Sequence, residues 1–491
     1  MLPASSTRTQ ERGTTPYGPA IAAGLVVLVI SLLGPNVALV SYAAVVLALG
    51  ICLLWRPAEP PIMLFVFAYQ WLQASTGAIY GNFAGLRPED FAQHLGEHQL
   101  ACALELTGTL VLALGMRFAV GRNSFGLHER MVPFVASRPV GFWFRLYLGA
   151  AIFSALCSAV AFSAGGLAQV LLSLAQVKWA AYVLLTFATF AVPGRSKFIW
   201  FGVTALEFGL SVGGFFSSFK DVFFYAFLGL VGSGLKIRPQ TVVLLVCGAA
   251  LVVILGVVWS AVKQDYRDYV SSNETNQSVN VSRSESLRYI GKLVSDLDGR
   301  QLATGADRLA QRLMYTEFFG AVLVNVPENV PHTHGALWGD AVVRTVTPRL
   351  IFTDKTPVHD SELTRQYTGI QVSSYDQGTS ISMGYMAEAY IDFGAILMFV
   401  PIFLLGGAMG LIYRWLLSAP ARDGVIGAGL ACFTLMPAFA LETSILKLIP
   451  AIGLCAIACI VIFKFLTPLI WGVLNPAGRL RKRAQPPCVM L

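Results

Sequence analysis

Long apolar runs recur along the chain and are separated by short polar segments. The run from Thr241 to Val262 contains no charged residue and is apolar on every face. About 20 such residues cross the ~30 Å hydrocarbon core of a bilayer as a helix. The pattern therefore predicts an all-α integral membrane protein with about 12 transmembrane helices. The predicted spans lie near 19–34, 37–55, 62–79, 99–118, 141–162, 177–193, 198–213, 222–235, 241–262, 393–413, 424–441 and 449–471.

One large loop, residues 263–392, interrupts this pattern. We expect it to be partly helical. Ser282 and Glu285 have the spacing of a capping box, which predicts a helix near 282–297. A second helix is predicted near 304–326. It would carry a single stripe at i, i+4, i+7 and i+11, formed by Arg308, Arg312, Tyr315 and Phe319.

The basic residues of the short loops predict the orientation. One side of the membrane collects 17 Lys and Arg residues and the other only four, which are Arg87, Lys178, Lys220 and Lys447. By the positive-inside rule both termini are cytoplasmic and the large loop is extracytoplasmic. The predicted parts are an N-terminal bundle of about nine spans (1–262), the loop (263–392), about three C-terminal spans (393–472) and a basic cytoplasmic tail (473–491).

The net charge of +8 is explained by this bias. The large loop itself is net acidic, with 12 Lys and Arg against 16 Asp and Glu. No basic stripe with interleaved aromatic residues is present, so the sequence gives no support for nucleic-acid binding.

Two groups of cations in the loop are candidate anion-binding residues. Arg349 and Lys355 lie between Pro348 and Pro357, which restrict the backbone and would present both charges with little freedom. Arg308 and Arg312 repel each other at i, i+4, and a bound anion would explain their spacing. Fixed cations at a membrane surface suit a phosphate or diphosphate. The alternatives are a solvated turn and a solvated helix face.

Polar side chains also gather where the tenth span begins. Tyr385, Glu388 and Asp392 share a helical face, and a carboxylate there could bind a sugar hydroxyl or act as a general base. The alternative is a pair of acids stabilised near a helix N-terminus. A metal site is not predicted, because alternating histidines are a weak signal. The histidines are instead candidates for proton transfer or ordinary loop residues: His332, His334 and His359.

These motifs together resemble the bacterial O-antigen and exopolysaccharide repeat-unit polymerases. The resemblance rests on residues 305–395, where Pro348-Arg349 is followed by Lys355-Thr356-Pro357 and then by Glu388 ahead of Phe393-Gly394. The chain departs from the family pattern in two places. Thr356 separates Lys355 from Pro357, and Asp392 stands where the family commonly has Asn.

The resemblance implies a membrane glycosyltransferase of the bacterial cytoplasmic membrane that uses neither a metal nor another cofactor. It would polymerise repeat units at the outer face, moving glycan from an undecaprenyl-diphosphate carrier to a lipid-linked acceptor. A chain-length regulator and a flippase of the same pathway would be its partners. Glu388 and Arg349 would be catalytic. The substrate-binding residues would be Arg308, Arg312, Arg349, Lys355, Arg365, Tyr385 and Asp392. A glycan ligase, a secondary transporter or lipid-linked glycan flippase, and a structural partner of such a machine remain alternatives.

Overall fold

The computed structural model describes residues 17–161, 163, 167–211, 219–235, 239–271, 281–347, 359–373, 380–419 and 423–469. Within these ranges all regular secondary structure is helical. Eight helical segments are long and apolar enough to cross a membrane, and three shorter helices are also apolar. The prediction of an all-helical protein is thus confirmed in the described residues, and these helices fit the predicted multi-pass membrane protein by length and composition.

The N-terminal half forms twelve helices in the described residues, and each of the nine spans predicted there overlaps one of them. They are α1 (Tyr17–Ser31), α2 (Val37–Leu54), α3 (Ile62–Ala84), α4 (Pro88–Phe91), α5 (His98–Val120), α6 (Leu127–Ala136), α7 (Val140–Ala161), α8 (Ala168–Ala175), α9 (Lys178–Phe190), α10 (Phe198–Ser211), α11 (Lys220–Gly232) and α12 (Pro239–Val270). Helix α12 runs to Val270, eight residues past the predicted end of its span at 262. Together α8 and α9 form one apolar segment of spanning length.

The C-terminal half contains nine further α-helices in the described residues. They are α13 (Arg283–Ser295), α14 (Gly299–Leu313), α15 (Thr316–Asn325), α16 (Ala336–Val346), α17 (Asp360–Thr368), α18 (Tyr385–Leu397), α19 (Phe399–Ser418), α20 (Asp423–Leu435) and α21 (Ile445–Val461). A short 3₁₀ turn, Met436–Ala438, follows α20, and a π turn, Ile462–Leu466, follows α21.

The first loop helix begins as predicted. The Ser282 hydroxyl accepts a hydrogen bond from the Glu285 amide, and the Glu285 carboxylate accepts one from the Ser282 amide. The second predicted helix, 304–326, was wrong in extent. Asp298 and Gln301 form an unforeseen capping box that starts α14 five residues earlier.

The predicted stripe was also wrong, because the chain breaks at Met314, whose ψ of 82° is not helical. The stripe is therefore divided between α14 and α15. Arg308 and Arg312 on α14 are exposed, whereas Tyr315 and Phe319 are buried. An i, i+4 pattern continues through such a break without revealing it, since the same spacing resumes in the next helix.

Helix α14 packs antiparallel against α12. A Cβ added at Gly305 would come within 2.6 Å of the Val257 carbonyl oxygen and 2.9 Å of the Ala261 Cβ, so only glycine permits this close crossing. At the end of α14, the Met314 side chain lies against Gly77 of α3. The loop segment is thereby held against the membrane bundle.

The start of α18 and the segment between α20 and α21 lie inside the bundle, level with the middle of α3. Gln70 accepts a hydrogen bond at 2.9 Å from the hydroxyl of Tyr385, the first residue of α18, and donates one at 2.7 Å to the Ala438 carbonyl. Gln73 accepts from the Leu441 amide at 2.7 Å. These amides hold the segment between α20 and α21 in the interior.

The end of the bundle where α3 begins is closed by a polar network around the buried carboxylate of Glu59. That carboxylate pairs with Arg56 at 2.6 Å and accepts hydrogen bonds from the Phe125 amide at 2.9 Å and the Ser124 hydroxyl at 3.1 Å. The Tyr413 hydroxyl donates to it at 3.3 Å. Helix α3 thus has a buried polar network at its start and a second one, around Gln70 and Gln73, in its middle.

Candidate functional site

Three basic side chains from two helices lie within electrostatic range of Arg312. Lys220 is the first residue of α11, Lys263 and Arg267 lie on the last turns of α12, and Arg312 is on the last turn of α14. The charge of Arg312 acts on each of the other three. We call Lys220, Lys263, Arg267 and Arg312 the cationic cluster.

Three members of the cationic cluster have no ion-pair partner in the described part of the chain. Lys220, Lys263 and Arg312 form no hydrogen bond or ion pair with a residue in the described part of the chain, although the Lys220 Nζ lies 5.2 Å from the centre of the Phe439 ring. Like charges within electrostatic range raise the energy of the empty site, and more so in a low dielectric. A bound anion would remove that cost. The arrangement therefore has the charge distribution of a polyanion-binding site.

Two carboxylates, Glu442 and Asp221, act electrostatically on Lys220 of the cationic cluster without forming an ion pair with it. Glu442, in the segment before α21, acts electrostatically on Lys220, on Tyr69 of α3 and on Tyr315. It is half-buried and makes no side-chain hydrogen bond with a described residue. Such a group can accept a proton from a substrate hydroxyl held beside the cations. Our sequence analysis did not place Glu442 among the catalytic candidates.

The predicted face of α18 is brought together by the structure and is buried. Tyr385, Glu388 and Asp392 are at most 1% exposed. Glu388 accepts a hydrogen bond at 2.6 Å from the amide of Ile445, the first residue of α21. Burial raises the pKa of the Glu388 carboxyl well above its usual range, and the Ile445 hydrogen bond opposes that shift only in part.

Asp392 caps another helix. Its carboxylate accepts hydrogen bonds from the backbone amides of Leu337 at 3.1 Å and Trp338 at 2.8 Å, in the first turn of α16, and from the Thr333 hydroxyl. Both oxygens therefore have protein partners. This matches the alternative of acids stabilised at helix N-termini, and roles of Glu388 and Asp392 toward a substrate stay predictions.

The predicted cations are not brought into one place. Both arginines of α14 are exposed, but only Arg312 belongs to the cationic cluster, since Arg308, one turn earlier, acts on none of its members. Arg365, on α17, is half-buried without a side-chain hydrogen bond or ion pair to a described residue. Arg349 and Lys355 lie outside the described residues, so their predicted roles stay predictions.

The three histidines lie at separate turns of the loop. The His332 Nδ1 is 3.1 Å from the Ile391 carbonyl oxygen, and its ring meets Tyr390 edge-on at 5.5 Å. His334 is exposed with a φ of 53°, and His359 is half-buried immediately before α17. Their predicted role in proton transfer is untested.

The Phe393-Gly394 motif marks a break inside α18. Gly394 has a φ of 72° and a ψ of −179°, a conformation that residues with a Cβ rarely adopt. The break redirects the chain from the buried face of α18 into the long apolar helix α19. The glycine of the motif is thus required by the backbone at this bend.

A sequence signal could have drawn attention to Lys220 of the cationic cluster. Three of the four basic residues that oppose the charge bias have special environments in the structure. Lys178 pairs with Glu207 at 2.7 Å, Lys447 pairs with Asp360 at 2.5 Å, and Lys220 belongs to the cationic cluster. A cation retained against the prevailing bias points to a specific electrostatic role.

The fold and the site define a class: a helical protein with several helices long and apolar enough to cross a membrane, in which a cationic cluster lies near a carboxylate. Residues 142–418, more than half of the chain, match a family described as a domain of unknown function (DUF8712), and the chain belongs to that family. The matched segment includes the whole cationic cluster but ends before Glu442. No curated protein and no solved structure matches the chain.

Proposed function

We propose that this protein is a polysaccharide polymerase of the bacterial cytoplasmic membrane. It transfers glycan from an undecaprenyl-diphosphate carrier to a lipid-linked acceptor at the outer face. In this proposal the chain has twelve spans, both termini are cytoplasmic, and residues 263–392 are extracytoplasmic. The observation that carries the proposal is the cationic cluster beside Glu442, because these two features match the two electrostatic demands of the reaction.

The first demand is the leaving group. When the bond between the sugar and the diphosphate breaks, negative charge grows on the diphosphate oxygens. Preorganised cations in a site with limited water stabilise that charge strongly. Arg312 and Arg267 can each grip phosphate oxygens through two N–H groups, whereas Lys220 and Lys263 act as point charges.

The second demand is the acceptor. A sugar hydroxyl becomes a better nucleophile when a nearby carboxylate accepts its proton. Glu442 suits this role better than Glu388, because Glu388 is buried and already bonded to the Ile445 amide. The proton would pass to Glu442 as the hydroxyl oxygen bonds to the sugar carbon and the lipid diphosphate departs.

Lipid-linked glycan transport is the second candidate, since a cationic interior also suits a carrier that moves a diphosphate across the membrane. A ligase would share the cationic cluster and differ in its acceptor. The product that accumulates when the protein is impaired distinguishes a polymerase, a transporter and a ligase.

The test uses a strain that lacks the wild-type protein and the ladder of lipid-linked polysaccharide as readout. Arg312→Ala should lower polymer formation by a factor on the order of 10²–10³, the usual cost of losing one preorganised contact. Arg312→Lys should also lose most polymer, because an ammonium cannot replace the planar guanidinium. Arg300→Ala, at the exposed start of the same helix, is the matched control and should leave the ladder normal.

A normal ladder from Arg312→Ala at equal protein level would overturn the proposal. Repeat units trapped on the inner leaflet would favour a flippase, and intact polymer without transfer to its final acceptor would favour a ligase. In washed membranes, chelators should leave polymer formation intact if the cations alone serve the diphosphate. Loss on chelation with recovery on adding a divalent ion would contradict that part.

A further inference from the structure

A cavity of about 310 Å³ lies next to the cationic cluster. It is lined by α8, by α11 and by the segment that joins α20 to α21. Its size falls at the lower end of the range of about 300–1,000 Å³ that is typical of small-molecule sites. Gln169, Ser173 and Gln176 line one wall, and Asp221 lies opposite. Phe439 belongs to both regions, because it lines this cavity while its ring lies 5.2 Å from the Lys220 Nζ.

The polar wall follows from helix periodicity. Residues at i, i+4 and i+7 share one face, so Gln169, Ser173 and Gln176 project together from α8 and its C-cap. The Gln176 Oε1 accepts a hydrogen bond from the Trp179 indole at 3.1 Å, which orients its amide NH₂ group as a donor. The Gln169 amide makes no hydrogen bond with a residue in the described ranges.

Asp221 gives the cavity a chemical preference. It is half-buried and makes neither a hydrogen bond nor an ion pair with a described residue. The charges of Lys220 and Lys178 act on Asp221 but offset the cost of its burial only in part. A buried carboxylate without a hydrogen bond or an ion pair is expensive unless it meets water or a polar ligand. Its negative charge disfavours a phosphate, and an acyl chain would leave Asp221 and both glutamines unsatisfied.

The cavity also offers aromatic surface. Tyr225 is 3% exposed and stacks on Trp179 with ring planes 5° apart and centroids 4.7 Å apart, which fixes its orientation. Phe439 is held against Tyr69 at 4.8 Å. A pyranose has a C–H face that packs on aromatic rings and a rim of hydroxyls that donate to carboxylates and bond to amides. Rigid rings with a few placed polar groups are the usual composition of a site for such a ligand.

We propose that this cavity binds a neutral sugar residue of the glycan, with Asp221, Gln169 and Gln176 bonding its hydroxyls and Phe439 and Tyr225 packing against its ring. The inference rests on the proposed function for its biological meaning, since it places a sugar beside the cations that hold the diphosphate. Asp221 and Lys220 are consecutive at the start of α11. Asp221 would then contact the sugar, and Lys220 would contact the diphosphate. The identity of the sugar would be read by Asp221 and the two glutamines.

Binding can be tested without polymerisation. The full chain in detergent is mixed with the methyl glycosides of glucose, galactose, mannose, rhamnose and N-acetylglucosamine, and saturation-transfer NMR measures contact. At least one glycoside should give a saturable signal. Asp221→Asn exchanges a charge-assisted hydrogen bond for a weaker neutral one, and Gln169→Leu removes its hydrogen bond, so each should weaken the signal about tenfold or more. Gln366→Leu, an exposed glutamine on α17, should not change it.

A parallel titration with inorganic pyrophosphate, followed by phosphorus NMR, separates the two proposals. The Arg312→Ala variant should lose pyrophosphate binding and keep sugar binding. The Asp221→Asn variant should lose sugar binding and keep pyrophosphate binding. Sugar binding without pyrophosphate binding would sink the proposed function and leave the sugar site standing. No saturable signal from any glycoside, or a signal unchanged in Asp221→Asn and Gln169→Leu, would overturn the sugar site.

Discussion

Lys447, in the first turn of α21, forms an ion pair with Asp360, the first residue of α17, with 2.5 Å between Nζ and Oδ2. The Ser380 hydroxyl accepts a hydrogen bond from the Lys447 Nζ at 2.8 Å and donates one to Asp360 at 3.1 Å. Asp360 is only 2% exposed. This contact fastens the large loop to the last membrane-crossing segment, close to where Glu388 meets α21.

Removing the lysine should destabilise the protein. Lys447→Ala leaves Asp360 buried without its cation, and we expect a loss of about 1–3 kcal/mol, less than for a fully buried pair because Lys447 is partly exposed. The thermal midpoint of the detergent-solubilised protein measures this, with Lys292→Ala on exposed α13 as control. The double variant Asp360→Asn/Lys447→Met should recover part of the loss. A midpoint unchanged in Lys447→Ala would show that the pair contributes nothing.

The two candidate bases should respond differently to substitution. Glu442→Gln should reduce polymer formation by about 10²–10⁴, the usual contribution of a general base, without lowering the thermal midpoint. Glu388→Gln should keep most polymer, because the amide retains an acceptor oxygen for the Ile445 amide. The polysaccharide ladder and the midpoint are measured on the same preparations. The reverse result would return the catalytic role to Glu388. In that case Glu442→Gln would form normal polymer, and Glu388→Gln would form none while keeping its thermal midpoint.

Glu388 should also give the protein a pH-dependent stability. Because its pKa is raised in the fold, the native state holds a proton that the unfolded state has released, so stability falls as pH rises above the ordinary glutamate value of about 4.3. Glu388→Gln is neutral at every pH and should gain in thermal midpoint relative to wild type as pH rises. Glu328→Gln, at an exposed position, is the control. A constant difference between variant and wild type would contradict the raised pKa.

Asp392 should matter first as a helix cap. Asp392→Ala removes the acceptor of two backbone amides of α16 and should cost about 2 kcal/mol, at the upper end for a cap because the site is buried. Asp392→Asn keeps an acceptor and should cost less. Hydrogen exchange measured on peptides of α16 should rise most in the alanine variant. Unchanged exchange there, with polymer lost, would instead favour the predicted contact with substrate.

The helices of the bundle could be predicted from sequence because their cause is local. An apolar run of spanning length must satisfy its own backbone, so composition alone decides that it is helical. The cap at Ser282 was also visible as a short motif. Phe393-Gly394 was noted only as part of the family resemblance, and the bend at Gly394 was not predicted. The break at Met314 was not predicted either, since nothing in the spacing of Arg312 and Tyr315 reveals a change of direction.

The residues of the candidate site could likewise be predicted only in part from the sequence. The sequence alone determined the class of the chain and drew attention to Arg312, Tyr385, Glu388 and Asp392, because charges and polar faces at apolar boundaries are conspicuous. Only the tertiary structure decided which of them meet. Lys220, Arg267, Arg312 and Glu442 are far apart in sequence, and their convergence depends on how α11, α12, α14 and the segment before α21 pack. Electrostatic partnership is a property of distance and burial, which periodicity along one helix does not encode.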